Sequence, residues 1–156
     1  MDLKDYIRSI KDYPKKGILF RDITTLIKDE LAFEETINQI VEKSKKFKVD
    51  KIAAIESRGF VFASAVSYIL KKPFIMLRKK NKLPADVHSV DFQLEYGTAT
   101  IEVHKDSISE NDSVLIIDDL IATGGTAEAA AKLIEISNGK VAVSYTHLRA
   151  HETSLH

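Results

Sequence analysis

Two adjacent carboxylates, Asp118 and Asp119, follow the apolar run Val114-Leu115-Ile116-Ile117 and precede Leu120-Ile121-Ala122-Thr123-Gly124-Gly125-Thr126. Four apolar residues bounded by polar ones predict a buried strand, and Ala127 to Ile136, with apolar residues at 127, 130, 131 and 134, predicts a helix. The small-residue loop between them can surround a phosphate with backbone N–H groups. Gly124 and Gly125 permit close approach, and Thr123 and Thr126 add hydroxyl donors. The two Asp side chains emerge at the carboxyl end of the strand, where open parallel sheets bind ligands, and their mutual repulsion calls for donors, a cation or ligand hydroxyls. That is the layout of a sugar-phosphate site. An ordinary turn, with one Asp capping and the other solvated, would use the same residue types. A P-loop is excluded, because Gly125 is followed by Thr126 and Ala127 in place of Lys and Ser or Thr.

Val114 to Thr126 resembles the phosphoribosyl pyrophosphate (PRPP) signature of the type I phosphoribosyltransferases. Four further segments occur in the same order in the adenine-specific branch of that family: Tyr13-Pro14-Lys15-Lys16-Gly17-Ile18-Leu19-Phe20-Arg21-Asp22-Ile23-Thr24, Glu56-Ser57-Arg58-Gly59-Phe60, Arg78-Lys79-Lys80-Asn81-Lys82-Leu83-Pro84 and Leu94-Glu95-Tyr96-Gly97. Ordered motifs are far more specific than any one of them. Two departures stand out: Lys16 replaces a usual Pro, and Val90-Asp91-Phe92 replaces a more polar, Tyr-containing loop.

The resemblance implies purine salvage, with the 5-phosphoribosyl group passing from PRPP to adenine to give AMP and pyrophosphate. It places the 5-phosphate at Ala122, Thr123, Gly124, Gly125 and Thr126, and the ribose hydroxyls at Asp118 and Asp119. The two carboxylates would also stabilise positive charge developing on the ribose ring. Pyrophosphate would meet Arg58, Arg78, Lys79 and Lys82, with Mg²⁺ held through PRPP oxygens and not by a protein cage. The peptide within Glu56 to Arg58 can be cis in this family. Phe20 and Arg21 match the segment that stacks on the purine and presents backbone groups to it. Glu95 and Tyr96 match the mobile catalytic loop, Glu95 assisting proton transfer at the purine. Each residue has a plainer use: core packing for Phe20, a helix cap or a pair with Glu56 for Arg58, an exposed charged turn for residues 78 to 82, and an exposed strand end for Glu95. A transferase for another purine such as xanthine would share the PRPP residues, and a non-catalytic PRPP-binding regulator could keep the signature alone. Family members are commonly homodimers.

The elements that must position these residues alternate between strand-like and helix-like segments, which predicts a parallel sheet covered by helices. The expected fold is α/β of the type I phosphoribosyltransferase kind: a central, mostly parallel sheet flanked by helices, a small N-terminal hood, and a β-hairpin bearing a flexible loop. Leu3 to Ile10 reads as a short helix and Gly17 to Ile27 as extended. Leu31 to Phe47 carries a helical stripe. Ile52 to Ile55 and Pro73 to Leu77 read as strands, with an apolar helix between them ending at Leu70. Asp91 to Glu95 and Ala99 to Val103 suggest a hairpin turning at Tyr96-Gly97-Thr98. Asn138-Gly139 is a helix stop before a strand at Lys140 to Val143.

Residues 1–143 are expected to form one domain. From about Ser144 the pattern is lost, and residues 144–156 resemble a translated adapter, so a non-native tail in place of a final strand is expected, with one sheet edge exposed. His147 and His151 lack a third ligand in sight. The 156 residues are 44% hydrophobic and balance 23 Lys plus Arg against 23 Asp plus Glu, so no global field attracts nucleic acid or an anionic membrane. The lysines at 43, 45, 46, 48 and 51 read as a solvated helix end. No apolar run approaches a membrane span. With no Cys and no apolar N-terminal leader, the natural setting is the cytoplasm.

Overall fold

The structure is a computed structural model that describes residues 1–94, 97–118 and 125–146. Among the described residues two sheets form. The smaller pairs β1 (Arg8–Lys11) with β2 (Leu19–Asp22) in antiparallel register, Arg8 opposite Asp22 and Ile10 opposite Phe20. The larger has the order β5-β6-β4-β3-β7-β8. Its parallel part comprises β3 (Lys51–Ile55), β4 (Phe74–Lys79), β7 (Ser113–Asp118) and β8 (Lys140–Thr146). A hairpin of β5 (Val87–Leu94) and β6 (Gly97–His104) joins the edge of β4 antiparallel, giving the sheet its mixed character.

Side chains alternate across the sheet, so each strand feeds two cores. On one face Ile52, Ala54, Leu115 and Ile117 pack with Ile37, Ile40, Phe62 and Val66 from α2 (Glu30–Ser44) and α3 (Arg58–Leu70). On the other, Ala53, Ile55, Val114 and Ile116 pack with Ala130, Leu133 and Ile134 from α4 (Gly125–Ile136) and with Ile75, Leu77 and Ile101. Burial on both faces explains why β3 and β7 read as unbroken apolar runs. Asp29 starts α2 by accepting from the N–H groups of Leu31 and Ala32 at 3.1 and 2.9 Å. The stop at Asn138-Gly139 forms as expected: Asn138 takes φ 69°, and Gly139 N–H donates to Ile134 O at 3.0 Å.

The N-terminal expectations need correction. Leu3 to Ile10 is not a helix: a 3₁₀ turn covers Leu3–Tyr6, and Arg8–Lys11 is a strand because Leu19–Asp22 supplies a ladder partner. Nor is Gly17 to Ile27 extended throughout. The Asp22 carboxylate accepts from Thr24 N–H at 2.8 Å and turns the chain into the short helix α1 (Thr24–Ile27). The stripe of α2 ends at Ser44, where Lys45, Lys46 and Phe47 tighten into i→i−3 bonds. The last strand, β8, runs past the expected end at Val143 to Thr146, pairing Ser144 with Ile116.

Candidate functional site

The carboxyl ends of β3 and β7 lie side by side, and helices α3 and α4 begin just beyond them. Between these ends opens a cavity of about 150 Å³ lined by Ile55, Glu56, Ser57, Arg58, Gly59, Asp118 and Thr126. Two strand-loop-helix units, separated by some sixty positions in sequence, thus converge on one point. Asp118 is the last residue of β7 and is 1% exposed. Thr126 stands in the first turn of α4. Gly125 opens that helix, while Asp119, Ala122, Thr123 and Gly124 lie outside the described residues, as do Glu95 and Tyr96.

Close approach of the two units depends on Gly59. A Cβ there would stand 2.9 Å from Ile117 O and 3.3 Å from Ala54 Cβ, so only glycine lets α3 start against both strands. The Glu56–Ser57 peptide bond preceding it is cis.

The basic residues divide between different tasks. Arg78, in β4, faces Glu56, with Nε 3.4 Å from Oε1 and Nη2 donating to Oε2 at 3.4 Å. Lys79 N–H donates to Glu56 Oε1 at 2.7 Å, and Glu56 N–H donates to Leu77 O at 3.0 Å. Burial pushes the Glu56 carboxyl up, but the Lys79 N–H and the Arg78 guanidinium outweigh it and hold the group below its usual range. Arg58 reaches in the other direction. Its Nη2 donates to Arg21 O at 3.0 Å, and its guanidinium lies 5.5 Å from the centre of the Phe20 ring. In place of the Arg58–Glu56 pair offered as the plainer use of Arg58, the fold pairs Glu56 with Arg78 and directs Arg58 to the small sheet. Lys82 lies in the turn after β4, its N–H donating to Lys79 O at 3.3 Å.

Phe20 and Arg21 sit on β2, in the small sheet above the cavity-lining Arg58. Tyr13 packs edge-on to Phe20 with ring centres 5.1 Å apart. Asp22 anchors this sheet: its Oδ2 accepts from Arg8 Nε at 3.0 Å and Nη2 at 2.5 Å, and its Oδ1 from the Thr24 N–H and hydroxyl at 2.8 and 2.6 Å. The Thr24 hydroxyl, then the Arg8 guanidinium and the Thr24 N–H, lower its carboxyl to about 2. Sequence reasoning passed over Asp22 and Glu56 as functional supports. The Asp-x-Thr spacing at 22 to 24 was a usable local signal for the first; nothing local signalled that Glu56 would meet Arg78.

Among the described residues no group of three or more His, Cys, Asp or Glu side chains could hold a metal ion, and no helix is long and apolar enough to cross a membrane.

A family model described as the phosphoribosyl transferase domain matches residues 23–156. The chain is 84% identical over 142 residues to an adenine phosphoribosyltransferase of Pelagibacter ubique, covering 91% of this chain and 81% of that protein. It is 53% identical over 141 residues to the enzyme of that name from Nitrosomonas eutropha, covering 90% and 81%. Among solved structures, adenine phosphoribosyltransferase from Thermoanaerobacter pseudethanolicus superposes with a TM-score of 0.87 at 46% identity, covering 91% of this chain and 83% of that one. The Saccharomyces cerevisiae enzyme, complexed with D-2,5-dideoxy-2,5-imino-altritol 1,6-bisphosphate and adenine, gives 0.82 at 33% identity, covering 89% and 81%.

Proposed function

The chain belongs to the phosphoribosyl transferase family, and from that membership we propose that it is a purine-salvage enzyme which transfers the 5-phosphoribosyl group of PRPP to adenine, giving AMP and pyrophosphate. The observation that carries this is the 84% identity to an adenine phosphoribosyltransferase over nearly the whole chain. The small cavity that brings the buried Asp118 and the half-buried Thr126 together with Glu56 to Gly59, and whose Arg58 reaches Arg21 and Phe20, supports it.

The 5-phosphate is assigned to the loop Ala122, Thr123, Gly124, Gly125 and Thr126 at the start of α4. Asp118 and Asp119 accept from the ribose hydroxyls and stabilise the positive charge that develops as the anomeric bond loosens. Arg58, Arg78, Lys79 and Lys82 are assigned to pyrophosphate. Arg78 and Lys79 act from a frame already set by Glu56, while Arg58 joins that side to the base side. Phe20 offers its ring to the purine, Arg21 its backbone, and Glu95 assists proton transfer while the loop at Tyr96 excludes water. No protein nucleophile is required: positioning and electrostatics supply the rate.

The oxygen groups lining this cavity, carboxylate and hydroxyl, suit a hard cation bound mainly through substrate oxygens and water. When bound, Mg²⁺ would neutralise charge on the departing pyrophosphate. Residues 1–143 are taken as a single domain acting in the cytoplasm. Val61 and Tyr68, seven apart on α3 and both exposed, supply an apolar face for the homodimer we also propose.

The test is AMP formation dependent on adenine, PRPP and Mg²⁺, with hypoxanthine, guanine and xanthine as competing bases. Adenine alone should be converted efficiently. Preferred use of xanthine would move the chain to another branch of the family, and PRPP binding without transfer would make it a regulator.

A further inference from the structure

Glu102 lies on β6, is 6% exposed, and belongs to neither apolar core. It stands opposite Ser89 on β5 and opposite Arg78 on β4, so the three side chains share one face of the sheet. Arg78 in turn meets Glu56 at the cavity, which extends a polar row from the hairpin to the wall of the proposed site.

Both oxygens of Glu102 are engaged. Oε1 accepts from Asn81 N–H at 3.0 Å and Oε2 from the Ser89 hydroxyl at 2.6 Å. Asn81 is the left-handed residue, at φ 67°, of the turn that follows β4 and carries Lys79, Lys80 and Lys82. The Ser89 hydroxyl and then the Asn81 N–H lower the Glu102 carboxyl below its usual range, so it is an anion at neutral pH. A buried anion in such a row is costly unless its donors are fixed, which makes it a rigid reference point.

On the footing of the phosphoribosyl transfer proposed above, we infer that Glu102 is a positioning residue for pyrophosphate, holding the Lys79–Lys82 turn through Asn81 and tying it to hairpin β5–β6 through Ser89. It contacts no reactant. It sets where the ammonium groups of Lys79 and Lys82 can reach, and it couples that turn to the hairpin whose strands lead to Glu95 and Tyr96.

Steady-state kinetics and titration with inorganic pyrophosphate and Mg²⁺ test this on the full chain. Glu102→Ala should raise the KM for PRPP and the Kd for pyrophosphate about tenfold, with the KM for adenine changed less than about twofold. Glu102→Gln keeps an oxygen for Asn81 N–H and offers its amide to the Ser89 oxygen, so it should restore most of the loss. Should the alanine variant fail to fold, Glu102→Asp, which keeps the charge but loses reach, should shift pyrophosphate binding in the same direction. Unchanged pyrophosphate binding in the aspartate and alanine variants, or an equal loss toward adenine and PRPP, overturns the role of Glu102. A wild-type chain that binds pyrophosphate without forming AMP would instead refute the transferase activity and leave the positioning role measurable.

Discussion

Gly59 and Ile117 touch across the mouth of the site: a Cβ on Gly59 would come within 2.9 Å of the Ile117 carbonyl oxygen, next to Asp118. The contact lets α3 begin against the end of β7, so the two halves of the cavity share a wall. Backbone on one side cannot rotate away as a long side chain could. Gly59→Ala should therefore destabilise the fold by about 1–3 kcal/mol, as overpacking does, and raise the KM for PRPP. Urea unfolding together with PRPP titration checks both effects; wild-type values in both would mean that α3 shifts without cost.

Asp22 makes the small sheet sensitive to acid. Its carboxyl is lowered to about 2 in the folded chain, against about 3.9 when unfolded. A depressed carboxyl contributes stability that is fully present above the unfolded value and is lost as pH falls through the folded one. The stability gap between wild type and Asp22→Asn should accordingly be constant above about pH 5 and shrink between about pH 4 and pH 2. Unfolding curves across that range report it. A gap that widens on acidification contradicts the assignment.

Phe20 packs with Tyr13 and against the Arg58 guanidinium, leaving it half-buried on β2. If its ring stacks on the purine, Phe20→Ala should raise the KM for adenine about tenfold or more, the size of a lost base-aromatic stack. PRPP binding should hold. A matched loss toward both substrates would return Phe20 to simple packing.

Glu95→Gln should lower turnover by about 10²–10⁴-fold, the range for a lost general acid–base group, while sparing PRPP binding. Single-turnover AMP formation at saturating PRPP measures this directly. Unchanged turnover removes Glu95 from the chemistry.

Much of the site was legible because its parts are local. The run ending at Asp118 reads as a buried strand and Ala127 to Ile136 as a helix with an apolar stripe, and the structure packs the two together. Glu56 to Gly59 likewise followed directly from the strand before it. The N-terminal segment misled because Arg8 to Lys11 has no strand character of its own until Leu19 to Asp22 pairs with it. The hairpin expected at Asp91 to Glu95 and Ala99 to Val103 forms but is longer, and Gly97 and Thr98, expected in its turn, belong to β6: the ladder runs from Val87 opposite His104 to Leu94 opposite Gly97, and pairing carries polar residues that no apolar alternation would include.

By itself, the sequence determined the family, the order of strand-loop-helix units and the residue types delivered to the strand ends, since apolar period and turn chemistry act between near neighbours. Tertiary structure alone decided the partners. Arg78 meets Glu56, Arg58 meets Arg21 and Phe20, and Glu102 meets Asn81 and Ser89, each across sheet register or a packed helix start. Such pairings depend on which strands lie side by side and in what register: a one-residue slip of β6 would take Glu102 off the face it shares with Arg78 and Ser89.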